Sequence, residues 1–87
     1  MKVAVWDTYV TRDNGEQMHF DILVPSELKD ENVIYNYGKA FLKIKPFKVG
    51  ELTSKECRFC HIEQATPDVV AQIEKVGYAI VEMENCD

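Results

Sequence analysis

Val3 to Val10 is dense in β-branched and aromatic residues. Glu16 to Val24 alternates, with Met18, Phe20, Ile22 and Val24 on one side and Gln17, His19 and Asp21 on the other. Asp13-Asn14-Gly15 stands between these runs, and an Asn-Gly flanked in this way predicts a β-hairpin. Two registers are open. If Asn14-Gly15 alone turns the chain, Tyr9 lies opposite Phe20 and Thr8 opposite Asp21. If Asp13-Asn14-Gly15 is a three-residue loop with Gly15 left-handed, the pairing shifts by one and every side chain changes face. Ala4, Trp6, Thr8 and Val10 then join Met18, Phe20, Ile22 and Val24, while Asp7, Tyr9, His19 and Asp21 collect opposite. The second register is favoured, because a sheet with one buried face needs that separation of apolar from polar.

Pro25-Ser26 ends the hairpin. Asp30 is placed to cap a helix, with Glu31 in its first turn. Val33, Ile34, Tyr37, Phe41, Leu42 and Ile44 recur at helical spacing as one apolar stripe. Gly38 interrupts the stripe at a cost of about 1 kcal/mol relative to Ala, and would allow close approach to a sheet. Pro46 stops the helix, and a loop runs to Lys55. Glu56 to Ile62 reads as a third strand. Thr66-Pro67-Asp68 opens a second helix with a capping hydroxyl, a proline and an acid. Its stripe is Val69, Val70, Ile73 and Val76, and Gly77 ends it. Tyr78 to Met83 is the last strand. The expected fold is α+β, a two-layer β-β-α-β-α-β arrangement with two helices packed on one face of a mixed four-stranded sheet. The last β-α-β would cross over right-handed if its strands are parallel.

The chain has 87 residues, which is one domain's worth, so residues 1–87 are read as a single compact domain. A composition 46% hydrophobic and 29% charged is that of a globular protein. No apolar run is long enough to span a bilayer, and the start of the chain reads as a strand rather than a signal peptide. A cytoplasmic location is therefore expected, with thiols kept reduced. The net charge of −5 argues against nucleic-acid binding. Lys39, Lys43, Lys45, Lys48, Lys55 and Arg58 form a local basic stretch, read as a helix end and a solvated loop rather than an anion site.

Cys57, Cys60 and His61 carry the densest candidate chemistry. Cys57-Arg-Phe-Cys60-His61 matches the C-x-x-C-H spacing of haem attachment, but nothing here suggests export or a haem-sized apolar pocket, so haem is disfavoured. Zinc suits the thiols if Cys57 and Cys60 turn toward one point and are joined by His61, His19 or Cys86. An extended segment would instead send the two thiols to opposite faces. A redox dithiol would want the first cysteine at a helix N-terminus, which is missing. The remaining reading is that the cysteines are small buried hydrophobes. The second cluster is the hairpin face. His19 near two carboxylates is a plausible base, and Asp7 opposite Asp21 calls for a cation between them. The alternative is a solvated sheet face with ordinary cross-strand pairs.

Val5-Trp-Asp-Thr-Tyr-Val10, Met18-His-Phe-Asp21, Glu56-Cys-Arg-Phe-Cys-His61, Gly77-Tyr78 and Met83-Glu-Asn-Cys86 resemble a family of small bacterial proteins. It is the domain-of-unknown-function family numbered two thousand and twenty-four. The resemblance covers essentially the whole chain. It implies a compact α/β domain and no particular activity.

The leading expectation is a small binding or interaction protein without catalysis of its own. Its working surface would combine Asp7, Tyr9, His19 and Asp21 with the Cys57–His61 strand. One alternative is a zinc protein or hydrolytic enzyme using Cys57, Cys60, His61 and Cys86. Another is a thiol redox protein. The partner would be a protein or small molecule, not nucleic acid or membrane, and the chain a monomer or a homodimer formed at a strand edge or the Tyr35/Tyr37 region. No cofactor is firmly expected; zinc is kept as an alternative and haem is disfavoured.

Overall fold

The computed structural model describes Met1–Asp87 throughout. Its elements follow the expected order: β1 (Lys2–Thr11), β2 (Gln17–Pro25), α1 (Glu31–Lys43), β3 (Cys57–Gln64), α2 (Pro67–Val76) and β4 (Ala79–Glu84). The favoured hairpin register is the one found, with Asp7 opposite Asp21 and Tyr9 opposite His19. Arg12 N–H donates to the Glu16 carbonyl across the three-residue loop, and Gly15 takes a φ of +88°. That left-handed conformation is open to glycine at no steric cost.

The four strands lie in the order β3-β1-β2-β4. Every neighbouring pair is antiparallel, so the expectation of a mixed sheet is corrected. The segment β3-α2-β4 joins the two outer strands across the whole sheet, and no parallel crossover exists.

The placement of both helices on one face is also corrected. Alternate residues of the hairpin feed two separate hydrophobic clusters. Ala4, Trp6, Val10, Met18, Phe20, Ile22 and Val24 pack with Ile34, Phe41 and Leu42 of α1. Val3, Val5, Leu23 and Ala79 pack with Val69 and Ile73 of α2. The helices therefore sit on opposite faces, and the molecule has three layers. The reason is in the strands: Val3-Ala-Val-Trp6 and Ile22-Leu-Val24 are apolar on both faces, and a strand of that kind must be covered twice. Beyond Val5 and Leu23, the α2 face turns polar.

Both helices begin as their caps require. An Asp30 carboxylate oxygen accepts from the Asn32 N–H, and the Thr66 hydroxyl oxygen accepts from the Val69 N–H. Two stripe residues are exposed: Ile44 lies past the end of α1, and Val76 faces solvent in the last turn of α2. Tyr37 stacks on Tyr78 with ring centroids 4.3 Å apart, so its ring is used within the fold.

Gly38 has the role its position suggested. A Cβ there would stand 2.6 Å from Leu52 Cδ1 and 2.9 Å from Ile22 Cδ1, both in the closed core. Gly38→Ala should gain about 1 kcal/mol in helix propensity. Overpacking should cost about 1–3 kcal/mol. The expected result is a net loss of stability, read as a lower urea midpoint with unchanged slope. A raised midpoint would show that the core has slack at this point.

Candidate functional site

The polar half of the α2-side face is built from the centre outward. Asp7 on β1 and Asp21 on β2 are directly opposed, and His19 and Tyr9 form the next pair. The Tyr9 ring lies flat on the His19 ring, with centroids 4.1 Å apart and planes 9° from parallel. This stacking holds the imidazole over the acids. His19 Nε2 lies 3.5 Å from Asp7 Oδ1 and 3.6 Å from Asp21 Oδ1. The His19 side chain is only 15% exposed and that of Asp21 17%.

Two carboxylates placed opposite each other in a half-buried setting cannot both hold a charge cheaply. Burial pushes the Asp21 carboxyl up to about 6, and the adjacent Asp7 adds to the effect. Asp7 moves the other way, held low first by the hydrogen bond from Asp21 and then by His19. Below about pH 6 the pair thus holds one proton, on Asp21. Asp21 Oδ1 and His19 Nε2 are shielded from solvent and have no hydrogen-bond partner. Asp7, His19 and Asp21 each offer one ligand atom, and these atoms lie within 4.8 Å of one another.

Irregularities in both outer strands flank this centre. On β3, His61 pairs with Val5 and Phe59 with Trp6, which leaves Cys60 as an extra residue in a bulge. On β4, Glu84 pairs with His19 and Glu82 with Phe20, which leaves Met83 in a second bulge. Bulges re-aim side chains and often adjoin functional sites. Here the β3 bulge puts the exposed Cys60 on the Asp7 side, where desolvation first and then the Asp7 charge raise its thiol pKa. Cys60 Sγ is 3.2 Å from His61 Nδ1, and His61 Nε2 is 2.6 Å from Glu63 Oε1. A depression of about 430 Å³ beside them is lined by Asp7, Tyr9, Lys55, Arg58 and Cys60, among others.

The structure brings the four hairpin residues together, with Cys60 lining the depression beside Asp7 and Tyr9. It does not assemble Cys57, Cys60, His61 and Cys86. Cys57 is buried in the α1-side core against Thr8, and burial pushes its thiol up. Cys86 is also buried, and its thiol donates to the carbonyls of His19 and Glu84 at 3.3 and 3.4 Å. Three free thiols in three surroundings cannot share a metal or form a dithiol without rearrangement. Glu63 escaped the sequence reading, although its spacing of two from His61 places both on one strand face. The basic stretch is dispersed. Lys45 Nζ pairs with Glu82 Oε1 at 2.7 Å, while Lys39, Lys43 and Lys48 line a wide groove beside α1 and the following loop. That groove, about 680 Å³, lies away from the polar cluster. No helix is long and apolar enough to cross a membrane.

Comparisons with known proteins agree with this architecture. The chain is similar to protein NE1680 from Nitrosomonas europaea, a structural-genomics target solved by NMR, with 36% identity over all of both chains and a TM-score of 0.80. No curated protein is similar enough to match. The family model described as Domain of unknown function (DUF2024) matches residues 1–83, including the hairpin and the cysteine strand, and the chain belongs to that family.

Proposed function

We propose that the protein is a binding protein whose ligand is a divalent metal cation held by Asp7, His19 and Asp21. The observation that supports this reading is the convergence of His19 Nε2 and two opposed carboxylates, with Nε2 and Asp21 Oδ1 shielded and unpartnered. Metal bonds of about 2.0–2.2 Å to nitrogen and oxygen place neighbouring ligand atoms roughly 3.0–3.5 Å apart. The separations of 3.5 and 3.6 Å need only a small contraction. A cation would remove the repulsion between the ionised acids. Protein ligands from one side leave the remaining positions open to solvent, above the depression beside Asp7. A small molecule or a partner's side chain would complete the coordination there.

Isothermal titration of zinc or manganese into the chelator-stripped protein should give one site per chain. His19→Ala and Asp21→Asn should each weaken it by at least about ten-fold. Undiminished affinity in both variants would overturn the assignment.

The same site predicts an opposite effect on stability. In the folded protein Asp21 holds its proton to about pH 6, against 3.8 when unperturbed. Folding therefore takes up a proton between these values, and metal-free stability should fall as pH rises through that window. Asp7, held low, acts in the reverse sense and loses its contribution below its unperturbed value of 3.8. Asp21→Asn should raise metal-free stability at pH 7 by about 1–2 kcal/mol. It should also flatten the slope between pH 4 and 6, as followed by urea unfolding in chelator. A destabilised variant at pH 7 would mean that the ionised pair is not under strain.

A further inference from the structure

We infer that Cys60 is a further ligand of the cation at Asp7, His19 and Asp21, and that its sulfur selects zinc-class ions over magnesium, calcium or manganese; this rests on the cation reading above. The bulge in β3 is the structural device. A regular strand would alternate faces through Phe59, Cys60 and His61. With the extra residue opposite the Val5–Trp6 step, both Cys60 and His61 come to the Asp7 side, and Cys60 lines the same depression as Asp7. Three ligand atoms already converge at Asp7, His19 and Asp21, and the Cys60 sulfur must move in to join them when the ion binds. His61 Nδ1, 3.2 Å from Sγ, is placed to receive the thiol proton, and Glu63 Oε1 at 2.6 Å fixes the ring through Nε2.

The step is a ligand exchange without redox change. The Cys60 S–H bond breaks, its proton passes to His61 and then to solvent, and the sulfur lone pair forms the bond to the metal. Thiolate joined to imidazole and carboxylate suits zinc and cobalt, whereas all-oxygen sets suit magnesium and calcium. The buried Cys57 lies on the other face and takes no part.

Cobalt(II) tests this in the full-length reduced protein under anaerobic conditions. The wild type should show visible ligand-field bands together with a near-ultraviolet sulfur-to-cobalt charge-transfer band. Cys60→Ser should keep the ligand-field bands and lose the charge-transfer band, while Cys57→Ser keeps both. Zinc affinity should drop at least about ten-fold in Cys60→Ser, with magnesium affinity unchanged. Bound cobalt without charge transfer, or a charge-transfer band that survives Cys60→Ser, overturns the role of Cys60 and leaves the three-residue site standing. Absence of any cobalt bands or binding heat overturns both.

Discussion

The pairing of β1 with β2 in one register is the constraint on which everything else depends. The three-residue loop at Asp13-Asn14-Gly15 sets it, and Gly15 can take the required left-handed conformation without a Cβ penalty. A slip of one residue would carry Trp6, Phe20 and Ile22 out of the α1 core. It would carry Asp7 and Asp21 into it. Core and site are therefore two readings of the same register. The apolar face is large enough to specify it, since Met18, Phe20, Ile22 and Val24 are all fully buried. The stability of the hydrophobic cluster holds two like charges in opposition, an arrangement that the acids alone would not choose.

Much of this was legible in the residues. The alternation of Gln17 to Val24 and the Asn-Gly turn select the register, and with it the grouping of Asp7, Tyr9, His19 and Asp21. Both helix starts follow from side-chain oxygens at Asp30 and Thr66. The position of α2 was also written in the sequence, although less plainly. Val3, Val5 and Leu23 are apolar on the face that Asp7 and Asp21 make polar, so that face changes character midway along the hairpin. A search for one polar and one apolar face averages over that change and leaves α2 without a task. Counting each half of the strand separately assigns α2 to the half that needs cover.

Sheet order and bulges were not legible, for a physical reason. The outer positions of β3 and β4 depend on which edge each helix lets the chain reach, and that is decided by packing between distant elements. A bulge inserts one residue without a composition signal, and neither Cys60 nor Met83 is a glycine that would advertise a kink. The consequence for Cys57 and Cys60 is large. Spacing makes them a pair, but the strand places one in the core beside Thr8 and the bulge puts the other on the Asp7 side. C-x-x-C chemistry requires a turn between the thiols, and extended backbone denies it.

The division of the α2-side face also explains why its polar half remains open. α2 ends at Val76 after covering Val3, Val5, Leu23 and Ala79, and Gly77 sends the chain directly into β4. A longer helix would seal Asp21 and His19 from water, and burying that pair of acids without a counter-charge would be expensive. As built, the apolar half anchors the sheet while the polar half keeps its ligand atoms shielded but reachable. Tyr9 stacks on His19 from the open side, and Cys86 donates to the His19 carbonyl from the core side. The ring is thus held by Tyr9 and its backbone by Cys86 before any ligand arrives, so less ordering entropy remains to oppose binding.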